Sequence, residues 1–191
     1  MSDEFGGLHR GIVVDNNDPK KLGRVKIRVP AAYGDQPVEN LPWTYPTLNY
    51  GGMKGMYNYS VPEIGAGAWV MFQNKDGKAD TTYPVCVGYW QAEQERPDGV
   101  HEAVQDNTAD AHYYKELKTT SGHQVMLGDK PGEEFVQIID KDGNFARFDD
   151  KDGYIRIQDK NGSYIYMHGG DVEIHAANHM TLTATRIDLN P

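Results

Sequence analysis

The chain has 191 residues, of which 38% are hydrophobic, and it carries a net charge of −9 with a single cysteine. Residues 101–191 hold most of the acidic charge, with a net charge of −7 against −2 for residues 1–100. This balance disfavours binding to nucleic acid or to anionic membranes, and one cysteine excludes an intramolecular disulfide. The sequence contains no run of 18 apolar residues that would predict a membrane span, and its first residues lack the basic and apolar regions of a secretory signal. We therefore expect synthesis in the cytoplasm without a signal peptide.

The first predicted elements form a β-hairpin. Residues 11–14 are a β-branched run, and residues 15–19 are rich in Asp and Asn and end at Pro19, which is typical of a turn. Residues 23–29 then alternate Val25, Ile27 and Val29 with basic side chains, which predicts a half-buried strand. We expect the two strands to pair.

A small barrel is predicted over residues 1–91. Residues 30–62 form a long irregular segment rich in Pro, Gly and Tyr, and a loop of this length inside a compact domain is often used for binding. Two further strands, at residues 66–72 and 83–88, are separated by a turn at residues 75–77. About five short strands in 90 residues fit a closed β-barrel.

Residues 92–118 are predicted to link two parts of the chain. Residues 92–110 are polar, acidic and poor in large apolar side chains, whereas residues 112–118 fit either a short helix or a strand. We expect a second domain to begin at Thr119.

Residues 119–191 consist of short strands and turns. The turn dipeptides are Asp142-Gly143, Asp152-Gly153, Asn161-Gly162 and Gly169-Gly170. Between and after them lie alternating runs at residues 144–148, 154–158, 163–167, 172–176 and 180–184. Such narrow strands bury too little apolar surface alone, so they indicate a fibrous structure built from several chains. We predict an inward-facing core between chains formed by Val172, Ile174, Ala176, Met180, Leu182, Ala184 and Ile187.

The chain resembles the central spike proteins of contractile phage tails and the valine–glycine-repeat spikes of type VI secretion. The resemblance is carried by residues 11–30, by later short motifs such as Leu41-Pro-Trp43, by residues 120–127, and by the final alternating strands. The positions that carry the barrel signature are Gly11, Asp18, Pro19, Gly23, Arg24, Pro42, Trp43, Gly65 and Gly88. This likeness implies an all-β fold, in which an N-terminal OB-fold β-barrel is followed by an intertwined trimeric triple-stranded β-helix needle.

The resemblance also implies a function and partners. The protein would be the non-enzymatic, homotrimeric central spike of a contractile tail, with no cofactor and no bound metal. A separate baseplate hub protein would bind at the barrel end. The needle would pierce the target cell's outer membrane transiently, and the protein would reside in the virion tail baseplate or in an extracellular injection particle. A PAAR-like tip protein would sit on a platform formed by Asp188, Leu189, Asn190 and Pro191.

Two other functional classes stay open at this stage. A basic hairpin, formed by Lys20, Lys21, Arg24, Lys26 and Arg28, is typical of a nucleic-acid-binding OB module or, alternatively, of an interface with an acidic protein surface. A spike-associated cell-wall hydrolase would need a convergent acid and nucleophile, and the sequence indicates none. His175 and His179 have a metal-like spacing, but on a strand we expect both to face solvent.

Overall fold

The structure is a computed structural model that describes residues 5–51, 53, 54, 56, 58–92 and 108–188. The chain divides near residue 96 into two compact units, and each is described by itself. No helix among these described residues has the length and apolar character needed to cross a membrane.

The first unit is a closed five-stranded barrel. Its strands are β1 (His9–Asp15), β2 (Val25–Arg28), β3 (Trp43–Pro46), β4 (Gly67–Lys75) and β5 (Lys78–Trp90). A one-turn helix, α1 (Pro30–Tyr33), and a 3-10 helix (Val38–Asn40) precede β3. The strand order is β1-β2-β3-β5-β4, closed by pairing of β1 with β4 and with β3 parallel to β5. This is an OB-like arrangement.

The structure confirms the predicted β1–β2 hairpin and shows that the two later predicted strands also form a hairpin. Strand β1 pairs with β2 in antiparallel register, with Ile12 opposite Arg28. Strands β4 and β5 are longer than predicted because only Asp76 and Gly77 separate them. Both residues have positive φ, 53° and 82°, as a two-residue turn of type I′ requires.

The segment predicted as one irregular loop, residues 30–62, was predicted wrongly in part because it contains strand β3. Thr44 pairs with Val25 of β2, and Tyr45 pairs with Val85 of β5, so this short strand closes the barrel. The sequence pattern does not predict this four-residue strand because Pro42 precedes it and Pro46 is its last residue, and proline normally argues against a strand.

The barrel core is filled by side chains that are almost completely buried. Val13, Ile27, Val29 and Val70 are each at most 1% exposed. Strand β1 passes close to β2 at Gly11. A Cβ at this position would lie 2.4 Å from Cγ2 of Ile27, so glycine is required there.

The second unit is one antiparallel sheet. After a 3-10 helix (Thr108–Tyr113) come seven strands of five residues each. They are β6 (Tyr114–Lys118), β7 (Gln124–Gly128), β8 (Phe135–Ile139), β9 (Phe145–Asp149), β10 (Tyr154–Gln158), β11 (Tyr164–His168) and β12 (Asp171–His175). Each strand pairs with the next in the chain, from β6 to β12.

Two predictions for this unit need correction. The sheet begins at Tyr114 rather than Thr119, because residues 114–118 form β6 and pair with β7. The strand predicted at residues 180–184 is absent from the single chain, where residues 176–188 have no strand assignment. A strand requires a hydrogen-bonding neighbour. Strand β12 is an edge strand of the sheet, and residues 180–184 pair with none of the described strands.

Candidate assembly surface

Repeated turns keep the strands of the second unit short and equal in length. The Asp140 carboxylate accepts hydrogen bonds from the backbone N–H groups of Asp142 and Asn144, each at 2.9 Å. A side-chain hydrogen bond from Asn144 is the main cause that lowers the pKa of Asp140. Asp159 makes the corresponding bonds to the N–H groups of Asn161 and Ser163. These Asx turns reverse the chain between β8 and β9 and between β10 and β11.

The register places the second and fourth residue of every strand on one side of the sheet. Paired residues of neighbouring strands share a face, so each position forms a column that runs from β6 to β12. We call this side the apolar face. Its first column contains Leu117, Val125, Ile138, Ala146, Ile157, Ile165 and Ile174. Its second column contains Lys115, Leu127, Val136, Phe148, Ile155, Met167 and Val172. Thirteen of the fourteen positions are therefore apolar, with Lys115 the exception.

The apolar face lies open in the single chain. Ten of its large apolar side chains are at least 38% exposed, including Leu117 at 65% and Ile174 at 57%. Continuous exposed apolar surfaces of this extent mark interaction sites in soluble proteins. Seven strands at about 4.8 Å spacing make the face roughly 30 Å long.

The other side of the sheet carries polar side chains that make several hydrogen bonds and ion pairs within the chain, while Glu116 Oε1 and Arg156 Nε are buried there without a hydrogen-bond partner among the described residues. Arg147 donates from Nε to Asp149 at 2.7 Å and from Nη1 to Gln137 at 2.9 Å, and its guanidinium lies 4.1 Å from the ring centroid of Phe135. Burial alone would raise the pKa of Asp149, but the Asp152 backbone N–H and the Arg147 guanidinium outweigh it and lower that pKa. Arg156 stacks over the ring of Tyr164 at 4.7 Å. The contrast between the two sides identifies the apolar face as the side that is left uncovered by the described residues.

The residues predicted as the inward core fall into two groups. Val172 and Ile174 lie in β12 on the apolar face, as predicted from the alternation. The remaining predicted core residues, Ala176, Met180, Leu182, Ala184 and Ile187, follow β12 outside any strand. Met180, Leu182 and Ile187 are exposed there.

The sequence prediction missed most of the apolar face. It named core residues only after position 171, although every earlier strand carries an apolar pair at its second and fourth positions. The signal was present as pairs such as Val125 with Leu127 and Ile155 with Ile157, spaced two apart between turns. Only the register shows that these pairs align in columns.

The predicted tip platform is described only at its first residue. Asp188 is exposed, and its carboxylate accepts a hydrogen bond from Nε of Arg186 at 2.8 Å. Leu189, Asn190 and Pro191 lie outside the described residues.

In the barrel, the signature residues Asp18 and Arg24 form a buried ion pair. Arg24 Nη2 lies 2.6 Å from Asp18 Oδ1, and Arg24 Nε donates to Oδ2 at 3.1 Å. The same carboxylate accepts backbone N–H groups from Lys20, Leu22 and Arg24 itself. The Arg24 guanidinium is the main cause that holds the pKa of Asp18 well below its usual range. The pair closes the β1–β2 turn.

Other signature positions support the same loop. Trp43 lies under the guanidinium of Arg24, 5.4 Å from it, and next to Nζ of Lys26. Pro19 follows Asp18 in the turn, and Gly23 has a φ of 74°. The remaining signature positions also have structural roles. Pro42 precedes β3, and Gly65 has a φ of 96° and donates its backbone N–H to the Val13 carbonyl. The Gly88 carbonyl oxygen lies 3.4 Å from Sγ of Cys86.

The half-buried strand predicted over residues 23–29 is wrong for two of its three basic side chains, whereas Arg28 is partly exposed. Arg24 and Lys26 are 6% and 8% exposed. Nζ of Lys26 donates to the carbonyl oxygens of Val38 and Glu39, at 2.8 and 2.9 Å. Two cations of the basic hairpin are therefore engaged inside the barrel, and this weakens the basis for a nucleic-acid-binding module.

The cysteine and one of the candidate metal-binding histidines make contacts that are typical of structural residues. Cys86 is buried. His175 stacks on Tyr164 with ring centroids 5.0 Å apart. Within the part of the chain that the structure describes, no three His, Cys, Asp or Glu side chains are grouped so that they could hold a metal ion.

Comparison with known protein families finds a match over the barrel. Residues 9–90 match the profile of a protein family described as the type VI secretion system/phage-baseplate injector OB domain, and this range spans β1 to β5. The chain matches no curated protein. The match to the injector OB domain supports a baseplate spike-like protein with a structural role among other baseplate or tail components and a tail-associated location.

Proposed function

We propose that this protein is a homotrimeric central spike of a contractile injection apparatus, similar to the valine–glycine-repeat spikes. Three barrels would form its base, and three copies of the second unit would form a triple-stranded β-helix needle that pierces a target membrane. The role is mechanical and non-enzymatic. The observation that carries the proposal is the open apolar face, on a chain whose barrel matches a baseplate injector domain.

Burial of the apolar face supplies the energy for assembly. Each of its ten exposed large side chains would gain about 1 kcal/mol on burial, roughly half the value for a fully exposed residue. The total of about 10 kcal/mol per chain is comparable to the stability of a small domain. Three sheets that turn their apolar faces toward a common axis bury all of them together.

The segment after β12 supports intertwining between chains. Residues 180–184 alternate Met180, Leu182 and Ala184 with threonines. A strand needs a paired neighbour, and none of the described strands pairs with this segment. Pairing with neighbouring copies would satisfy these backbone groups and cover the edge at β12, which otherwise invites uncontrolled association.

The two ends would bind different partners. The barrel would join a separate hub protein, since its family acts in baseplate injectors. The C-terminal platform that includes Asp188 would carry a PAAR-like tip protein. The assembly would act in a virion or in an extracellular injection particle.

Measurement of the mass in solution tests the proposal directly. Light scattering after gel filtration should give about 64 kDa, three times the chain mass of 21.4 kDa. Ile157, half exposed at the centre of the apolar face, offers the matched variant. Ile157→Asp should dissociate the trimer because three carboxylates would be buried together. A monomeric wild-type protein, or an Ile157→Asp trimer of undiminished stability, would refute the proposal.

A further inference from the structure

The barrel has an open cleft on its surface that the proposed needle does not use. It lies between the β1–β2 turn and the long loop after β3, and its volume is about 510 Å³. We call it the loop cleft, and it is lined by Lys21, Leu22, Gly23, Pro46, Leu48, Asn58, Tyr59 and Ser60. Loops at this edge of OB barrels are common binding sites.

The loops around the cleft present an unusual amount of apolar surface. Leu22 and Leu48 in the lining are 53% and 49% exposed, and Tyr59 is 60% exposed. Tyr50 and Met53 of the same loop are also exposed. Aromatic and methionine side chains are enriched in the centres of protein interfaces.

The conformation of the cleft is determined by contacts within the barrel. Tyr59 packs so closely on Gly23 that a Cβ there would lie 3.2 Å from Cε2 of the ring. Asn58 donates to the Asn49 side chain at 3.0 Å, and Thr47 donates to the Cys86 carbonyl at 3.0 Å. The two sides of the cleft are therefore held in place before any partner binds, which lowers the entropic cost of binding.

The charge around the cleft is opposite to that of the whole protein. Lys21 is the charged residue among those that line the cleft and Lys20 precedes it, whereas Asp18, the acidic residue of the same turn, is neutralised by its buried ion pair with Arg24, in a chain with a net charge of −9. A second copy of this acidic chain is therefore a poor match for the cleft. A partner that places carboxylates around an apolar side chain matches both the lining and its charge.

We infer that the loop cleft is a docking site for an acidic segment of a different protein, which inserts a large apolar side chain between Leu22, Leu48 and Tyr59. In the proposed spike, this would be the surface by which the barrel holds a neighbouring baseplate component. The assignment of the partner to the baseplate rests on the proposed function, whereas the docking site itself does not.

The test uses the full-length protein and fluorescently labelled synthetic peptides. One pool carries Leu, Ile, Phe or Trp between flanking glutamates, and a matched pool replaces the glutamates with lysines. We expect the acidic pool alone to bind, with affinity that falls as salt increases. Leu48→Ser should weaken this binding about tenfold, the effect of a typical interface anchor. Leu8→Ser is the control, because Leu8 is 54% exposed and lies outside the cleft.

Several results would overturn the inference. These are equal binding of the two peptide pools, no binding of the acidic pool, or equal effects of the serine substitutions at positions 8 and 48. A loss of trimer mass in Leu48→Ser would show that a second copy occupies the cleft and would also overturn it. A wild-type protein that binds the acidic pool but is monomeric would contradict the proposed spike and leave the docking site intact.

Discussion

Replacement of Asp18 by Asn should destabilise the barrel strongly. The Asp18 carboxylate accepts five hydrogen bonds, two of them from the guanidinium of Arg24 and three from backbone N–H groups. Asparagine has nearly the same shape but offers a single acceptor oxygen. Each carboxylate oxygen serves at least two donors, so at least two donors lose their acceptor in either orientation of the amide.

The cost follows from the burial of the pair. The side chains of Arg24 and Asp18 are 7% and 4% exposed, so Asp18→Asn leaves a buried cation without its counter-charge. Removal of one partner from a buried pair costs about 3 to 5 kcal/mol, and we expect the lower end because one acceptor remains. A loss of about 3 kcal/mol should lower the melting temperature of a domain of this size by roughly 15 °C.

The assay is urea unfolding of the barrel fragment, residues 1–96, with Asp35→Asn as control because Asp35 is an exposed carboxylate of the same domain. Addition of Arg24→Met to Asp18→Asn should recover part of the loss, since it removes the unpaired cation. Equal stabilities for the Asp18 and Asp35 variants would refute the reasoning.

The pH dependence provides a second check on the same pair. Folding lowers the pKa of Asp18. The carboxylate therefore contributes fully to the free energy of unfolding above its unfolded-state pKa of about 3.9, and this contribution is lost as the pH falls below that pKa toward the folded-state pKa. The stability difference between wild type and Asp18→Asn should stay constant from neutral pH to about pH 4 and then narrow. A difference that narrows already between pH 7 and pH 5 would contradict this assignment.

Three further predictions concern assembly. Ile174→Asp should abolish the trimer, whereas Glu173→Ala on the other side of β12 should leave the mass unchanged; similar behaviour of the two variants would show that the faces are assigned wrongly. Deletion of residues 112–191 should leave a soluble barrel that is monomeric or associates weakly, and a stable trimer of that fragment would place the assembly interface in the barrel instead. Removal of residues 188–191 should leave a trimer that still binds its hub but no longer retains a co-expressed tip protein in a pull-down, and retention of the tip would contradict the platform.

The sequence alone determined the local features of both units. Turn chemistry is local, so the Asp76-Gly77 turn and the Asx turns at Asp140 and Asp159 could be located from residue type and spacing. The β1–β2 hairpin and the all-β class follow in the same way from alternation between turns. The signature residues Asp18 and Arg24 could also be named, but their physical role as a buried pair could not.

Features that depend on pairing between distant parts of the chain follow only from the tertiary structure. Strand β3 exists because β2 and β5 provide neighbours for it, and the buried Nζ of Lys26 is satisfied because the later 3-10 helix places the carbonyl oxygens of Val38 and Glu39 next to it. The same physics separates the two halves of the predicted core. Val172 and Ile174 lie in a strand because β11 pairs with β12, whereas residues 180–184 have the same alternation but no pairing neighbour among the residues that the structure describes. Alternation specifies which side chains could share a face, but a hydrogen-bonded partner is needed to make the strand.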